Sequence, residues 1–386
     1  MPTRITDLTE STNITASSVV PIIDVNEAAN SKNKKISITD LRKFNYANQQ
    51  NSSSFTKHTP GLYYFGDNSD GAGNFSGSIT TLRTRISASF ASTQDGVPVI
   101  NNFSSLFISR SVVISPTNRC RGMLIFVDGD ATISGSLRMS GRGAKFTGSD
   151  ASFTTINPPY LGDYWSTQLF PSASYLSRVF AVGANGAPSP SPAYTTGIAG
   201  SAGILGRSGG GGSGGSGNSP FGGAGTTGTS FSGGSGGSGA PDGVSPLPQA
   251  GAQNFGGAGG NSSCSGGAGN PNGSGGTAQG AGTGGLLILI VRGNLKIGPN
   301  GSIVVNGTTG NSYVGGTPYG GGGGGSGGGV LYVYYGGTLT NNGSVTANGG
   351  GGGTGNSPQG GAYGGGAGGA GTAIISKLNT AFPAGN

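Results

Sequence analysis

Two runs of six apolar residues constrain the fold of this chain more than any other feature. They are LLILIV at 286–291 and VLYVYY at 330–335, and each lies between glycines and a short alternating strand that ends in Asn-Gly. A strand with one solvated face alternates apolar and polar residues, so these unbroken runs indicate strands that are covered on both faces. One face would fill a core, and the other would lie under another subunit or under glycine-rich loops.

Side chains alternate along a strand, which divides LLILIV into two sets of three. Leu287, Leu289 and Val291 share one face, and the three residues between and before them share the other. Either set is a candidate for the interior. We expect the outer set to join copies of the chain in a homotrimer.

The same sequence unit recurs along the chain. Gly135-Ser136-Leu137 aligns with Gly301-Ser302-Ile303 and with Gly343-Ser344-Val345, and GGAGTAIISKL near the end is a shorter copy. From about residue 61, short strand-like runs are separated by Gly, Asn and Asp. Repeats of one such unit are typical of a solenoid in which each unit packs on its neighbour. We therefore predict an all-β fold with a parallel β-helix or solenoid-like body.

Glycine is the dominant residue, with 85 among 386, and it concentrates at 197–285, 307–329 and 349–371. Collagen is excluded, because glycine does not hold every third position. GGSGGSG at 211–217 has a local period of three, as in polyproline II, so we predict packed polyglycine-II-like layers. A flexible coil is the alternative, but a structureless loop of roughly 90 residues exceeds normal loop lengths.

The charge distribution does not indicate a nucleic-acid partner. The net charge is +7, yet after Arg207 the only basic residues are Arg292, Lys296 and Lys377. The N-terminus is polar and unlike a signal peptide, and the longest apolar run is far shorter than a membrane helix. We expect no membrane insertion. Cys120 and Cys264 have no metal or disulfide-framework spacing, so we expect free thiols.

The first 45 residues form a separate piece. Strand-like runs at Val19–Val25 and Lys35–Ile38 flank a polar loop, and Thr39 or Asp40 is placed to cap a brief helix. The piece is too small to bury a core of its own, so its apolar residues predict docking on a partner surface, with a flexible tail as the alternative. The docking candidates are Ile5, Leu8, Val20, Ile22, Ile23, Val25, Ile36, Ile38 and Leu41.

The sequence offers little for catalysis. Its one histidine, His58, lies in a Ser/Thr-rich linker, and no Ser-His-Asp set can be built around it. Asp128 with Asp130, and Asp67 with Asp70, are the candidate carboxylate pairs, and turn formation explains both strings. Asp67-Asn68-Ser69-Asp70 is similar to half a calcium loop but lacks the closing glutamate. We predict no enzyme, no metal site and no cofactor.

Isolated aromatic residues in the glycine-rich stretches are the remaining candidates for a binding role. Such rings either anchor a receptor or hold glycine segments together, and we expect the tyrosines to be contacts and the phenylalanines to be pins. The candidate receptor contacts are Tyr313, Tyr319 and Tyr363, and the candidate pins are Phe221, Phe231 and Phe255.

The chain resembles the fibre proteins of tailed bacteriophages. ITDLTE, VVPIIDV and KKISITDL resemble their N-terminal attachment segment, and the stretch from YFGDNSDGAG to GSLRMSG resembles a fibre body. The second half is similar to glycine-rich adhesin tips. The resemblance implies an attachment segment at 1–45 and a fibre body. Composition adds a linker at 46–60, so we divide the rest of the chain into a body at 61–196, a glycine-rich insertion at 197–285 and solenoid repeats at 286–386. The insertion departs from the fibre pattern.

The implied function is that of a structural virion fibre or adhesin. Its partners would be a capsid or tail protein and a host receptor or glycan, and it would be made in the host cytoplasm and located in the virion. A capsid decoration protein is one alternative, and a polysaccharide depolymerase is another.

Overall fold

The computed structural model of the chain contains two units, Met1–Pro60 and Gly61–Asn386. The division falls at Pro60, where the predicted linker ends. The structure describes residues 19–22, 34–37, 65–66, 68–76, 99–116, 118–144, 184–185, 187–188, 196–203, 208–215, 222–229, 231–237, 239, 282–313, 320–356 and 363–378.

The first unit contains an antiparallel strand pair. Strand β1 is Val19–Ile22 and strand β2 is Lys34–Ser37. Val20 lies opposite Ile36 in the register of the two strands. Strand β1 falls within the predicted run Val19–Val25, and β2 has the length of the predicted run Lys35–Ile38 but begins and ends one residue earlier. The predicted helix after Asp40 lies outside the described residues.

The described part of the second unit is built from short strands. They are β3 (Ala72–Phe75), β4 (Val99–Phe103), β5 (Ser105–Ile108), β6 (Val113–Ile114), β7 (Met123–Val127), β8 (Ala131–Ile133), β9 (Ser136–Arg138), β10 (Leu286–Val291), β11 (Leu295–Ile297), β12 (Ser302–Val304), β13 (Val330–Tyr335), β14 (Leu339–Asn341), β15 (Ser344–Thr346) and β16 (Thr372–Lys377).

These strands form three parallel sheets. Their orders are β16-β13-β10-β7-β4, β14-β11-β8-β5-β3 and β15-β12-β9-β6. Strands that follow one another in the chain belong to different sheets. Each copy of the repeated sequence unit adds its strands beside those of the copy before it. The predicted all-β class is thus confirmed for the described residues, and the arrangement is compatible with a parallel β-helix.

The strand register confirms the repeat alignment. Ser302 of β12 pairs with Ser136 of β9 on one side and with Ser344 of β15 on the other. The shorter copy also joins the stack, since Thr372 of β16 pairs with Val330 of β13. Because β7 pairs directly with β10, the long glycine-rich insertion leaves the stacking of the strands uninterrupted.

One face of LLILIV lies in a core that all three sheets share. Leu287, Leu289 and Val291 are fully buried there. The cluster also contains Ile133 from the second sheet and Leu137 from the third. Alternation places these side chains inward, so this set is the interior that the sequence left open.

The other face of LLILIV is covered within the same chain. Leu286, Ile288 and Ile290 are at most 3 % exposed and belong to a second cluster. Phe65, Ala144, Phe231 and Leu378 are also members of that cluster, and none of them lies on the sheet that contains LLILIV.

The expected homotrimer contact through this outer face is therefore wrong in its location, because the face has no exposed apolar surface. Phe231 belongs to the glycine-rich insertion, so the cover comes partly from the glycine-rich stretches. Homotrimerisation itself stays a prediction.

Two tyrosines extend the second cluster along β13. The rings of Tyr332 and Tyr334 stack with centroids 6.1 Å apart and planes inclined by 6°. Burial raises the pKa of both phenols above their usual range, because the charged form would lose its hydration. Both rings therefore stay neutral at physiological pH and act as apolar cover for the sheet.

We expect Leu289→Ala and Ile288→Ala to destabilise the chain by similar amounts, about 2–5 kcal/mol each, because each leaves a cavity in a buried cluster. Thr340→Ala, at an exposed position of β14, should change the free energy of unfolding by less than about 0.5 kcal/mol. Urea unfolding measures all three. An Ile288→Ala variant as stable as Thr340→Ala would contradict the packing of the outer face.

Candidate functional site

The largest feature outside the sheets is a set of extended glycine-rich segments, which we call the glycine bundle. Several are direct continuations of strands: one follows β12, one leads into β13, one follows β15 and one leads into β16. The described segments are 184–185 with 187–188, 196–203, 208–215, 222–229, 231–237, 282–285, 305–313, 320–329, 347–356 and 363–371.

The 208–215 segment donates its backbone N–H groups to three neighbours in strict rotation. Every third residue donates to the same neighbour, with N···O distances of 2.8–2.9 Å. The bonds run from Gly209 to Gly328, from Gly210 to Ser201, from Gly211 to Thr226, from Gly212 to Gly325, from Ser213 to Ile198, from Gly214 to Gly223 and from Gly215 to Gly322.

The carbonyl groups of the same segment accept from three further neighbours. Gly234 and Gly237 donate to it from one segment, Gly366 and Gly369 from a second, and Ala184 and Ala187 from a third. The 208–215 segment is therefore surrounded by six hydrogen-bonded neighbours. A chain that repeats every three residues directs its groups to three sides, which accounts for this arrangement.

The 320–329 segment is surrounded in the same way. It donates to the segments 363–371, 305–313 and 231–237, and it accepts from 208–215, 347–356 and 282–285. Both central segments are buried along their described length. Buried backbone groups need partners, and the neighbouring backbones supply them without any side chain.

The close approach of these backbones requires glycine. A Cβ atom at Gly322 would overlap the carbonyl oxygen of Gly353, and one at Gly209 would overlap that of Gly369. Gly209, near the start of its segment, is therefore as crowded as Gly322. Where a side chain is present inside, it is small and bonded: the Ser208 hydroxyl donates to Thr229 O at 2.6 Å.

The bundle has one end at which successive segments turn back. Gly215 donates to Gly322, Gly322 donates to Tyr363, and Asn356 donates to Gly320. These bonds bring together the last residues of outgoing segments and the first residues of returning ones. We call this the far end of the bundle. Connections 216–221, 314–319 and 357–362 join its residues and lie outside the described ranges.

Two of the predicted receptor contacts lie at the far end. The ring of Tyr313 packs on Gly320, where an added Cβ would overlap ring carbons, and this residue is partly buried. Tyr363 is only 9 % exposed, so its ring has little surface to offer a receptor and acts as a packing contact. Tyr319 lies outside the described residues.

Of the three candidate pins, one lies in the described part of the chain. Phe231 is 1 % exposed and packs in the second apolar cluster, against the outer face of LLILIV. Its ring therefore joins the bundle to the sheet. Phe221 and Phe255 lie outside the described residues.

Three of the predicted docking residues are described, namely Val20 and Ile22 in β1 and Ile36 in β2. The backbone register places Val20 directly across from Ile36. The structure does not describe Ile5, Leu8, Ile23, Val25, Ile38 and Leu41.

The acidic residues that the sequence singled out brace turns. Asp128 accepts from the Asn68 amide at 3.0 Å and from Arg292 at 2.9 Å. The bond from Asn68 links two turns that the sequence analysis considered as separate candidate sites. Asp70 accepts from the backbone N–H of Asn102 at 2.7 Å, and Asp130 accepts from that of Asn294 at 2.7 Å.

No group of three histidine, cysteine or acidic residues suited to a metal ion occurs among the described residues. Cys120 is a buried free thiol, and its Sγ lies 3.1 Å from the carbonyl oxygen of Gly122. Cys264, Asp67 and His58 lie outside the described ranges.

Comparison with known proteins provides no relative: no protein family, curated protein or solved structure matches this chain. A search of the described residues for a long apolar helix that could cross a membrane also finds none.

We expect Gly322→Ala to lower the stability of the chain by about 1–3 kcal/mol, because the new methyl group meets backbone that cannot move aside. Gly351→Ala is the matched control, since its Cβ would meet nothing nearer than Thr309 at 3.7 Å. The control should be neutral or slightly stabilising. Thermal melts of both variants measure the difference, and equal melting temperatures would refute the packed arrangement.

Proposed function

We propose that this chain is a non-enzymatic fibre or adhesin of a tailed-bacteriophage particle. Residues 1–45 dock on the capsid or the tail, and the far end of the glycine bundle attaches to a receptor or glycan on the host surface. The mature protein is located in the virion. The observation that carries the proposal is the far end itself, where returning segments are held side by side by backbone hydrogen bonds.

The architecture that we propose has two rigid parts. The three parallel sheets close into a solenoid shaft, and the glycine bundle is an array of polyglycine-II-like helices. The shared core of the three sheets supports the first part. The rotation of hydrogen bonds with a period of three supports the second. An array held by backbone hydrogen bonds fixes the ends of its segments in advance, which lowers the entropic cost of binding a receptor.

Binding without a covalent step is favoured by the use of the acidic residues. A glycosidase needs two carboxyl groups facing each other across a cleft. Asp70, Asp128 and Asp130 instead accept hydrogen bonds that hold neighbouring turns together. We therefore rank attachment above depolymerisation.

We expect deletion of residues 1–45 to leave a folded protein that no longer enters particles. The sheets and the bundle belong to the unit Gly61–Asn386, which this deletion leaves intact. Circular dichroism checks the fold, and immunoblotting of purified particles measures incorporation. Normal incorporation of the shortened protein would refute the docking role.

We expect the fluorescently labelled full chain to bind cells to which the parent particle adsorbs, and we expect Tyr319→Ala to weaken that binding by about tenfold or more. Phe107→Ala is the control, because Phe107 is an aromatic on β5 that is 42 % exposed. Flow cytometry measures cell binding. An intact chain that binds no such cells, and a reducing sugar released from their polysaccharide, would each refute the adhesin proposal.

A further inference from the structure

One side of the glycine bundle leaves rows of backbone groups without partners. The 363–371 segment donates to 347–356 and 208–215 and accepts from 320–329 and 196–203. Its remaining N–H groups, on Gly364, Ala367 and Ala370, have no acceptor, and the carbonyls of Gly365 and Gly368 have no donor. We call the exposed side of 196–203, 363–371 and 347–356 the open face.

The neighbouring segments continue these rows. In the segment on one side of 363–371, the N–H groups of Ala199 and Ala202 have no acceptor. In the segment on its other side, the N–H groups of Gly349, Gly352 and Gly355 have none. The spacing of three is the one that every internal contact of the bundle uses. The open face therefore presents donors and acceptors in the pattern that another segment of the same kind would complete.

Two other sides of the bundle differ from the open face. The segments 231–237 and 282–285 are buried within the chain. The 305–313 edge uses its side chains as partners, since Ser312 Oγ accepts from Thr354 N at 3.1 Å and Asn306 Oδ1 accepts from Asn348 N at 2.8 Å. On the open face, no side chain of the described residues accepts from the N–H groups of Gly364, Ala367 and Ala370.

The open face also lacks the features that keep exposed edges apart. Sheet edges commonly carry charges or proline that prevent pairing with another chain. The segments 196–203, 347–356 and 363–371 contain neither.

We propose that the open face binds the open face of a second copy of this chain, which forms a dimer with two-fold symmetry in place of the homotrimer expected from the sequence. The face is self-complementary, because the same rows supply donors and acceptors. The relative direction of two segments does not limit their pairing, since 363–371 already runs parallel to 320–329 and antiparallel to 208–215. The absence of charge on the face removes direct repulsion between two copies.

A second copy fits the face better than a free glycine-rich peptide does. A free peptide would lose backbone entropy on ordering, and glycine loses the most of any residue. In a second copy the segments are already held in place by internal hydrogen bonds. The open face is about 25–30 Å long at the polyproline-II rise per residue and offers mainly backbone groups, with little apolar surface to bury. We therefore expect a weak dimer whose population depends on concentration.

Sedimentation velocity of the full chain over a range of concentrations tests the proposal. We expect the intact chain to shift from monomer towards dimer, and Ala367→Glu to weaken association by about tenfold or more, because it would bury an unpaired charge. Thr309→Glu adds the same charge at an exposed position of the 305–313 edge and should associate like the intact chain. A purely monomeric chain, or association that Ala367→Glu leaves unchanged, overturns the proposal.

Amide hydrogen exchange of the intact chain provides a second test that needs no variant. The N–H groups of Ala367 and Ala370 are unpaired, whereas those of Gly366 and Gly369 donate to Ser213 and Gly210. Exchange at the alanines should slow as concentration rises, and exchange at the glycines should stay slow throughout. Fast exchange at both alanines in a sample that sedimentation finds associated would place the contact elsewhere. The adhesin proposal is tested on cells and does not depend on this result.

Discussion

Backbone contact without intervening side chains is the interaction on which the second half of this protein depends. In the two central segments of the bundle, most N–H and C=O groups meet a backbone group of a neighbour, and an added Cβ at Gly322 would take the space of a carbonyl oxygen. The cohesive interaction here is the hydrogen bond, because glycine offers little apolar surface to bury. The high glycine content is therefore a packing requirement.

The sheets and the bundle share one set of hydrogen bonds. Val305, directly after β12, donates to Thr346 of β15, and its carbonyl accepts from Gly329, directly before β13. The regular stacking of the strands thus sets the relative heights at which the glycine segments begin and end. An apolar core shared by three sheets positions an array that has almost no apolar core of its own. Phe231 adds a direct packing contact between the two parts.

This division of roles suits the proposed attachment function. At the far end, backbone hydrogen bonds hold the ends of the segments side by side. The open face adds a separate property, because it concerns how copies of the protein pair and not what they attach to. Its exposed alanines occur where a methyl group has room, which is the reverse of the condition at Gly322.

The sequence by itself determined the repeating unit, its register and the need to cover both faces of LLILIV. Those follow from local periodicity, which the pairing of Ser136, Ser302 and Ser344 reproduces. It also indicated the period of three in the glycine stretches.

Only the tertiary structure decided which face of LLILIV is interior, that Phe231 helps to cover the other, and that Gly209 is as crowded as Gly322. The hydrogen bond between Asn68 and Asp128, the burial of Tyr363 and the exposure of Ala367 were also visible only in the tertiary structure. These outcomes depend on contacts between residues far apart in the chain. Within a glycine-rich stretch all positions are alike in sequence, and only their neighbours in space distinguish a packed backbone from an exposed one.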